Sequence, residues 1–75
     1  MNLEPLGTLE TMVMEALWAE FPATAREIHT SLGPPRAYTT IMTTLDRLHH
    51  KGILVREKDG LAWRYRPILG KAAYE

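Results

Sequence analysis

Helix breakers cut this chain into pieces of nearly fixed length, and that punctuation constrains the fold more than any other feature. Proline follows Phe21, Gly33 is followed by Pro34-Pro35, Gly52 follows Lys51, and Asp59-Gly60 and Pro67 come last. The residue before a proline avoids helical geometry, and glycine suits the left-handed residue that closes a helix. What remains is three segments of helical length and then two short segments on either side of Asp59-Gly60.

The first helix is expected over residues 9–20. Leu9, Met12, Val13, Ala16 and Leu17 recur at three- and four-residue steps, which lays one apolar stripe along a helix. Met14 and Trp18 add a second apolar edge. Thr8 is the expected N-cap, and Glu10 stands in the first turn, where the helix dipole favours a carboxylate. The second helix is expected over residues 25–32, opened by a capping box of Thr24 and Glu27 and buried through Ala25, Ile28 and Leu32. The third is expected over residues 38–51. Ala37 caps it poorly and Gly52 closes it. Ile41, Thr44, Leu45 and Leu48 face inward, and Thr39, Thr40, Thr43, Arg47 and His50 face outward with Met42 beside them.

Residues 53–58 and 61–66 read as two strands. Asp59-Gly60 is a strong signal for a two-residue hairpin whose central positions take positive φ. In the second strand Leu61, Trp63 and Tyr65 alternate with Ala62, Arg64 and Arg66, and Pro67 ends the pairing. Trp18, Trp63 and Tyr65 are expected in the core. The whole chain, 1–75, reads as one domain of mainly α, α+β type. Its core is expected at about 6–67, with 68–75 starting a linker or a C-terminal element.

Zero net charge is a poor starting point for a nucleic-acid binder, so the distribution decides. Glu4, Glu10, Glu15 and Glu20 fall in the first 25 residues without a single basic partner. All nine Lys and Arg residues fall in the remainder, against five acidic ones. Such asymmetry can place a positive face on a neutral molecule. No cysteine is present, which excludes disulfides and thiolate metal sites and suits a reducing cytoplasm. Neither a membrane span nor a signal peptide is legible.

Three helices and a hairpin suggest a winged helix-turn-helix. Its recognition helix must bury one face and offer small side chains on the other, because the major groove admits a helix. The segment 38–51 meets that requirement. Its four threonines are poor helix formers. Their hydroxyls suit phosphates and base edges, and their methyls suit the thymine methyl. A solvated, threonine-rich face is the competing explanation. The hairpin, a wing at about 54–66, carries Arg56, Lys58, Arg64 and Arg66. These suit phosphate contacts, although charge on an edge strand also blocks aggregation.

Several runs resemble the penicillinase-repressor family of winged-helix regulators. Leu6-Gly7, Leu9-Glu10, Val13-Met14 and Leu17-Trp18 resemble its opening, and residues 22–29 its second helix. Residues 37–48 resemble its recognition helix throughout. Lys51-Gly52, Asp59-Gly60 and Arg64-Tyr65-Arg66-Pro67 resemble its wing. The resemblance implies a homodimeric bacterial repressor on a palindromic double-stranded DNA operator, with a role in antibiotic resistance in some members. It implies that Thr40 and Thr43 face bases, that Tyr38, Thr39, Met42 and Arg47 flank them, and that Arg56, Lys58 and Arg64 serve the wing. Family members make most of the dimer through a C-terminal helical segment beyond the residues matched here, so the resemblance implies a homodimer formed through such a segment.

Other functions find little support. No nucleophile motif points to an enzyme, and no cofactor or small-molecule ligand is implied. His49 and His50 are adjacent and diverge on a helix, so with His29 they make no expected metal site. The alternative is a winged helix that docks protein rather than DNA, since fold does not fix function. A protein-docking face would be richer in aromatics than the Thr40, Thr43 and Arg47 face.

Overall fold

The computed structural model describes residues 6–70. Along the chain it holds α1 (Thr8–Ala19), β1 (Ala23–Thr24), α2 (Ala25–Leu32), α3 (Tyr38–His50), β2 (Leu54–Asp59) and β3 (Ala62–Pro67). The expected first five residues and the last five, including most of the expected C-terminal element, lie outside the described residues. The strands form an antiparallel sheet in the order β1-β3-β2. This is a winged helix: three helices packed together, with the β2–β3 hairpin projecting beside α3. No helix among the described residues is long and apolar enough to cross a membrane.

Helix ends follow from local chemistry. At α2 the Thr24 hydroxyl accepts from the Glu27 N–H at 3.1 Å, and the Glu27 carboxylate accepts from the Thr24 N–H at 2.8 Å. Two otherwise unpaired donors are thereby satisfied. Gly33 closes the helix at φ +71°. At α1 the expected cap is corrected. Thr8 lies inside the helix and Gly7 is the N-cap, with its N–H donating to Glu10 Oε1 at 3.0 Å. Glu10 therefore does half of a capping box's work without a hydroxyl on the other side. The end of α3 is a Schellman motif. Gly52, at φ +78°, donates to the His49 carbonyl and Ile53 donates to that of Leu48, both at 3.0 Å. That turn sends the chain directly into the wing.

The core draws on every helix and on the base of the sheet. Val13, Met14 and Leu17 of α1 meet Ile28 of α2, Ile41, Leu45 and Leu48 of α3, and Leu54 and Tyr65 of the hairpin. Met14 is fully buried, so the interior face of α1 is rotated toward it, and Leu9, Met12 and Ala16 are only half-buried. Trp18 packs at the margin and donates its indole N–H to the Leu69 carbonyl at 2.9 Å.

The sheet differs from expectation in three ways. It has a third strand, β1, whose two residues pair Ala23 with Tyr65 and Thr24 with Arg64. The hairpin loop is Gly60-Leu61, because Asp59 already pairs with Ala62. Only Gly60 has positive φ, at +64°, which fits the turn class that places Gly first rather than the one with two positive positions. And Trp63 is not in the core. It stays 38% exposed where Tyr65 is 6% exposed, and Leu61 at the tip is fully exposed. The core reaches only as far up the hairpin as Tyr65.

Candidate nucleic-acid interface

Burying Ile41, Thr44, Leu45 and Leu48 fixes which side of α3 meets solvent. Thr39, Thr40, Met42, Thr43 and Arg47 are all exposed, and Tyr38 is exposed at the first turn. Thr39, Thr40, Thr43 and Arg47 line a shallow groove against Leu9 and Glu10 at the start of α1. The Thr43 hydroxyl donates to the Thr39 carbonyl at 3.0 Å, and the buried Thr44 hydroxyl to the Thr40 carbonyl at 2.8 Å. Such back-bonding spends the proton and leaves the lone pairs of the exposed Thr43 oxygen able to accept. Arg47 makes no ion pair among the described residues. Glu10, across the groove, is matched by Lys51 at 3.0 Å. Its carboxyl is held below the ordinary value of 4.5, first by the Gly7 N–H and then by Lys51.

Tyr38 is fixed from the side of α2. The ring of His29 meets it edge-on, with centroids 5.8 Å apart, and the Arg26 guanidinium lies over it at 5.8 Å. His29 Nε2 in turn lies 2.8 Å from the Arg36 carbonyl in the turn between the two helices. The helix-turn-helix is thus tied at its corner by an aromatic contact and a hydrogen bond.

The two faces of the hairpin carry different electrostatics. Strand register places Arg56 opposite Tyr65 and Lys58 opposite Trp63, on the face turned toward α3. There the Arg56 guanidinium lies 4.5 Å and the Lys58 ammonium 4.8 Å from the Trp63 ring centroid. Arg56 also reaches Asp46 of α3 at 3.5 Å. Arg64 and Arg66 occupy the opposite face, and both meet carboxylates. Arg64 binds Asp59 and, at 3.4 Å, Glu27, and Arg66 lies 3.7 Å from Glu57. The Asp59 contact raises the Arg64 guanidinium further above its ordinary value. The Thr24 N–H, ahead of Arg64, holds the Glu27 carboxyl low. Positive potential is therefore concentrated on the α3 side of the wing and largely neutralised on the other.

The structure divides the sequence-predicted residues of α3 between two flanks: Tyr38 and Met42 face the wing that carries Arg56 and Lys58, Thr39, Thr40 and Arg47 face the α1 groove, and Thr43 lies between and lines both. Arg64 is separated from all of them, on the outer face of the sheet. Sequence reasoning missed Arg26, Asp46 and Trp63. Asp46 follows Thr43 by three residues and so shares its side of the helix, a signal available in the spacing. Trp63 required the strand register to be known.

Comparison with known proteins agrees with this fold. The penicillinase repressor family model matches residues 6–75. The chain is 43% identical over 73 residues to the transcriptional regulator BlaI of two Mycobacterium tuberculosis strains, CDC 1551 / Oshkosh and H37Rv. That match covers 93% of this chain and 53% of each relative, so the chain spans about half the length of those regulators. The solution structure of the DNA binding domain of the repressor BlaI superposes with a TM-score of 0.81 at 28% identity, covering 93% of this chain and 88% of that one. The CopR repressor structure superposes at 0.70 with 29% identity, covering 92% and 99%. By its family match, its sequence identity and its fold, the chain belongs to the penicillinase repressor family.

Proposed function

We propose that this chain is the sequence-specific, double-stranded-DNA-binding part of a bacterial transcriptional repressor that acts as a homodimer on a palindromic operator. The carrying observation is the α3 face, where exposed Thr39, Thr40 and Thr43 project from a helix anchored by four buried residues. A helix selected only for stability would carry better helix formers there. Relatives named as transcriptional regulators, and a structural match to a DNA binding domain, support the same reading.

In this reading α3 enters the major groove. Thr43, its proton already donated to Thr39, accepts from an adenine or cytosine amino group or packs its methyl on thymine. Arg56 and Lys58 meet phosphates beside the groove, Arg47 meets phosphate on the other side, and Tyr38 and Met42 pack against sugar and base edges. Arg64 acts one step back, by joining the wing to the start of α2 through Glu27. Two protomers place their α3 helices about 34–36 Å apart, in successive major grooves.

Thr43→Ala tests the base-reading role. It should cost about 1–3 kcal/mol on a duplex selected from a random pool and little on a scrambled one. Equal losses on both duplexes would remove Thr43 from direct readout.

A further inference from the structure

A trough of about 830 Å³ lies between α3 and the wing. Tyr38, Met42, Thr43 and Asp46 line one wall, and Arg56 and Trp63 line the other. A helix in the major groove and a hairpin beside it must straddle the sugar-phosphate ridge between adjacent grooves. The trough is the space that such a ridge would occupy.

Two cations share the Trp63 ring: Arg56, which lines this trough, and Lys58, its neighbour on the same face of β2. Like charges drawn to one ring repel each other, and only one of the pair has a carboxylate. Asp46 lies 3.5 Å from Arg56, while Lys58 makes no ion pair among the described residues. The ring's negative face offsets part of that repulsion and limits the rotamers of two long side chains. The result is a pair of cations ordered by one ring, of which Asp46 offsets only Arg56.

We propose that Trp63 is a positioning residue for DNA binding: its indole holds Arg56 and Lys58 together so that they clamp one phosphodiester strand lying in the trough. This rests on the DNA-binding reading above and adds a residue that touches the cations rather than the bases. Asp46 is the intramolecular stand-in for phosphate at Arg56 and is displaced when the strand enters. Because the clamp grips backbone, its contribution is independent of sequence.

The test compares the chain with Trp63→Leu and Trp63→Tyr, using a short scrambled DNA duplex as the probe and a series of salt concentrations. Melting curves of each variant check that the half-exposed ring is not needed for folding. Trp63→Leu should weaken binding about two- to fivefold, the worth of exposed cation–π contacts. It should also flatten the slope of log affinity against log salt, by up to about 1.8 if both phosphate contacts are lost. Trp63→Tyr should restore most of both. Unchanged affinity and slope in a folded Trp63→Leu protein would overturn the clamp while leaving DNA binding in place. A loss that Trp63→Tyr does not rescue, at unchanged slope, would also overturn it. No binding by the unsubstituted chain at low salt would overturn the DNA-binding reading itself, and the clamp with it.

Discussion

Asp46→Asn should make this protein bind DNA more tightly. Asp46 is the one carboxylate on the wing side of α3, 3.5 Å from Arg56 and with its side chain 53% exposed. Its charge acts twice against a bound phosphate, by holding Arg56 and by repelling the phosphate directly. At 3.5 Å a unit charge pair is worth about 1.2 kcal/mol in bulk water, and exposure and side-chain entropy reduce exposed pairs to about 0–1 kcal/mol. Losing the competitor should therefore raise affinity about two- to fivefold at low ionic strength. Because Arg56 meets a phosphate in both proteins, no further phosphate contact is gained, and the salt slope should steepen only by the screening of the Asp46 charge. The gain should fade as added salt shortens the screening length below about 10 Å. Fluorescence anisotropy with a labelled duplex at several salt concentrations measures both quantities. The fold should not intervene, because His50 Nδ1 keeps its contact to the Asp46 backbone carbonyl at 2.8 Å. Weaker binding by Asp46→Asn, confined to a selected sequence, would refute the reasoning. It would mean that the carboxylate accepts from a cytosine amino group instead of competing for Arg56.

Three further outcomes follow from the scaffold. Thr24→Ala removes one half of the α2 capping box and should cost about 1 kcal/mol in thermal or urea unfolding. Leu48→Ala empties a fully buried position between α3 and the wing and should cost about 2–5 kcal/mol by the same measurement, a large share of the stability of a domain this small. Glu10 and Glu27 have depressed carboxyl values, so their stabilisation is fully present above the ordinary 4.5 and is lost as pH falls through their lower folded values. The melting temperature of Glu10→Gln should therefore fall less than that of the unsubstituted chain when pH is lowered through that window, and an identical decline would contradict the assignment.

Most of the fold was legible because each helix carries its own stop signal. Thr24 with Glu27, Gly33 and Gly52 act within one turn of chain, and the structure uses each as the spacing implies. What escaped is set by contacts between distant residues. The two residues of β1 are too short for any periodicity, and they become a strand because Tyr65 and Arg64 pair with them. Thr8 is a better cap by composition than Gly7, yet Glu10 can serve the Gly7 N–H unaided. The loop shifted by one residue because the alternation of β3 is satisfied equally by a turn at Gly60-Leu61. Trp63 has the same parity as Tyr65, and sequence alone cannot say how far along a hairpin the core extends. The candidate interface shows the same division. The helical period separated the exposed threonines from Ile41, Leu45 and Leu48. The distribution of the wing's cations over two faces depended on the β2–β3 register. That register separates Arg64 from Arg56 and Lys58.

The central claim is that the α3 face reads DNA sequence while the wing grips its backbone. Its most direct test is a salt series of binding isotherms on a duplex selected from a random pool, set beside a scrambled duplex of equal length. Affinity for both should fall linearly with log salt, at about 0.9 per phosphate contact. The selected duplex should be preferred at every salt concentration and carry a palindromic site. Equal affinity for the two duplexes throughout, or no binding at low salt, would contradict it.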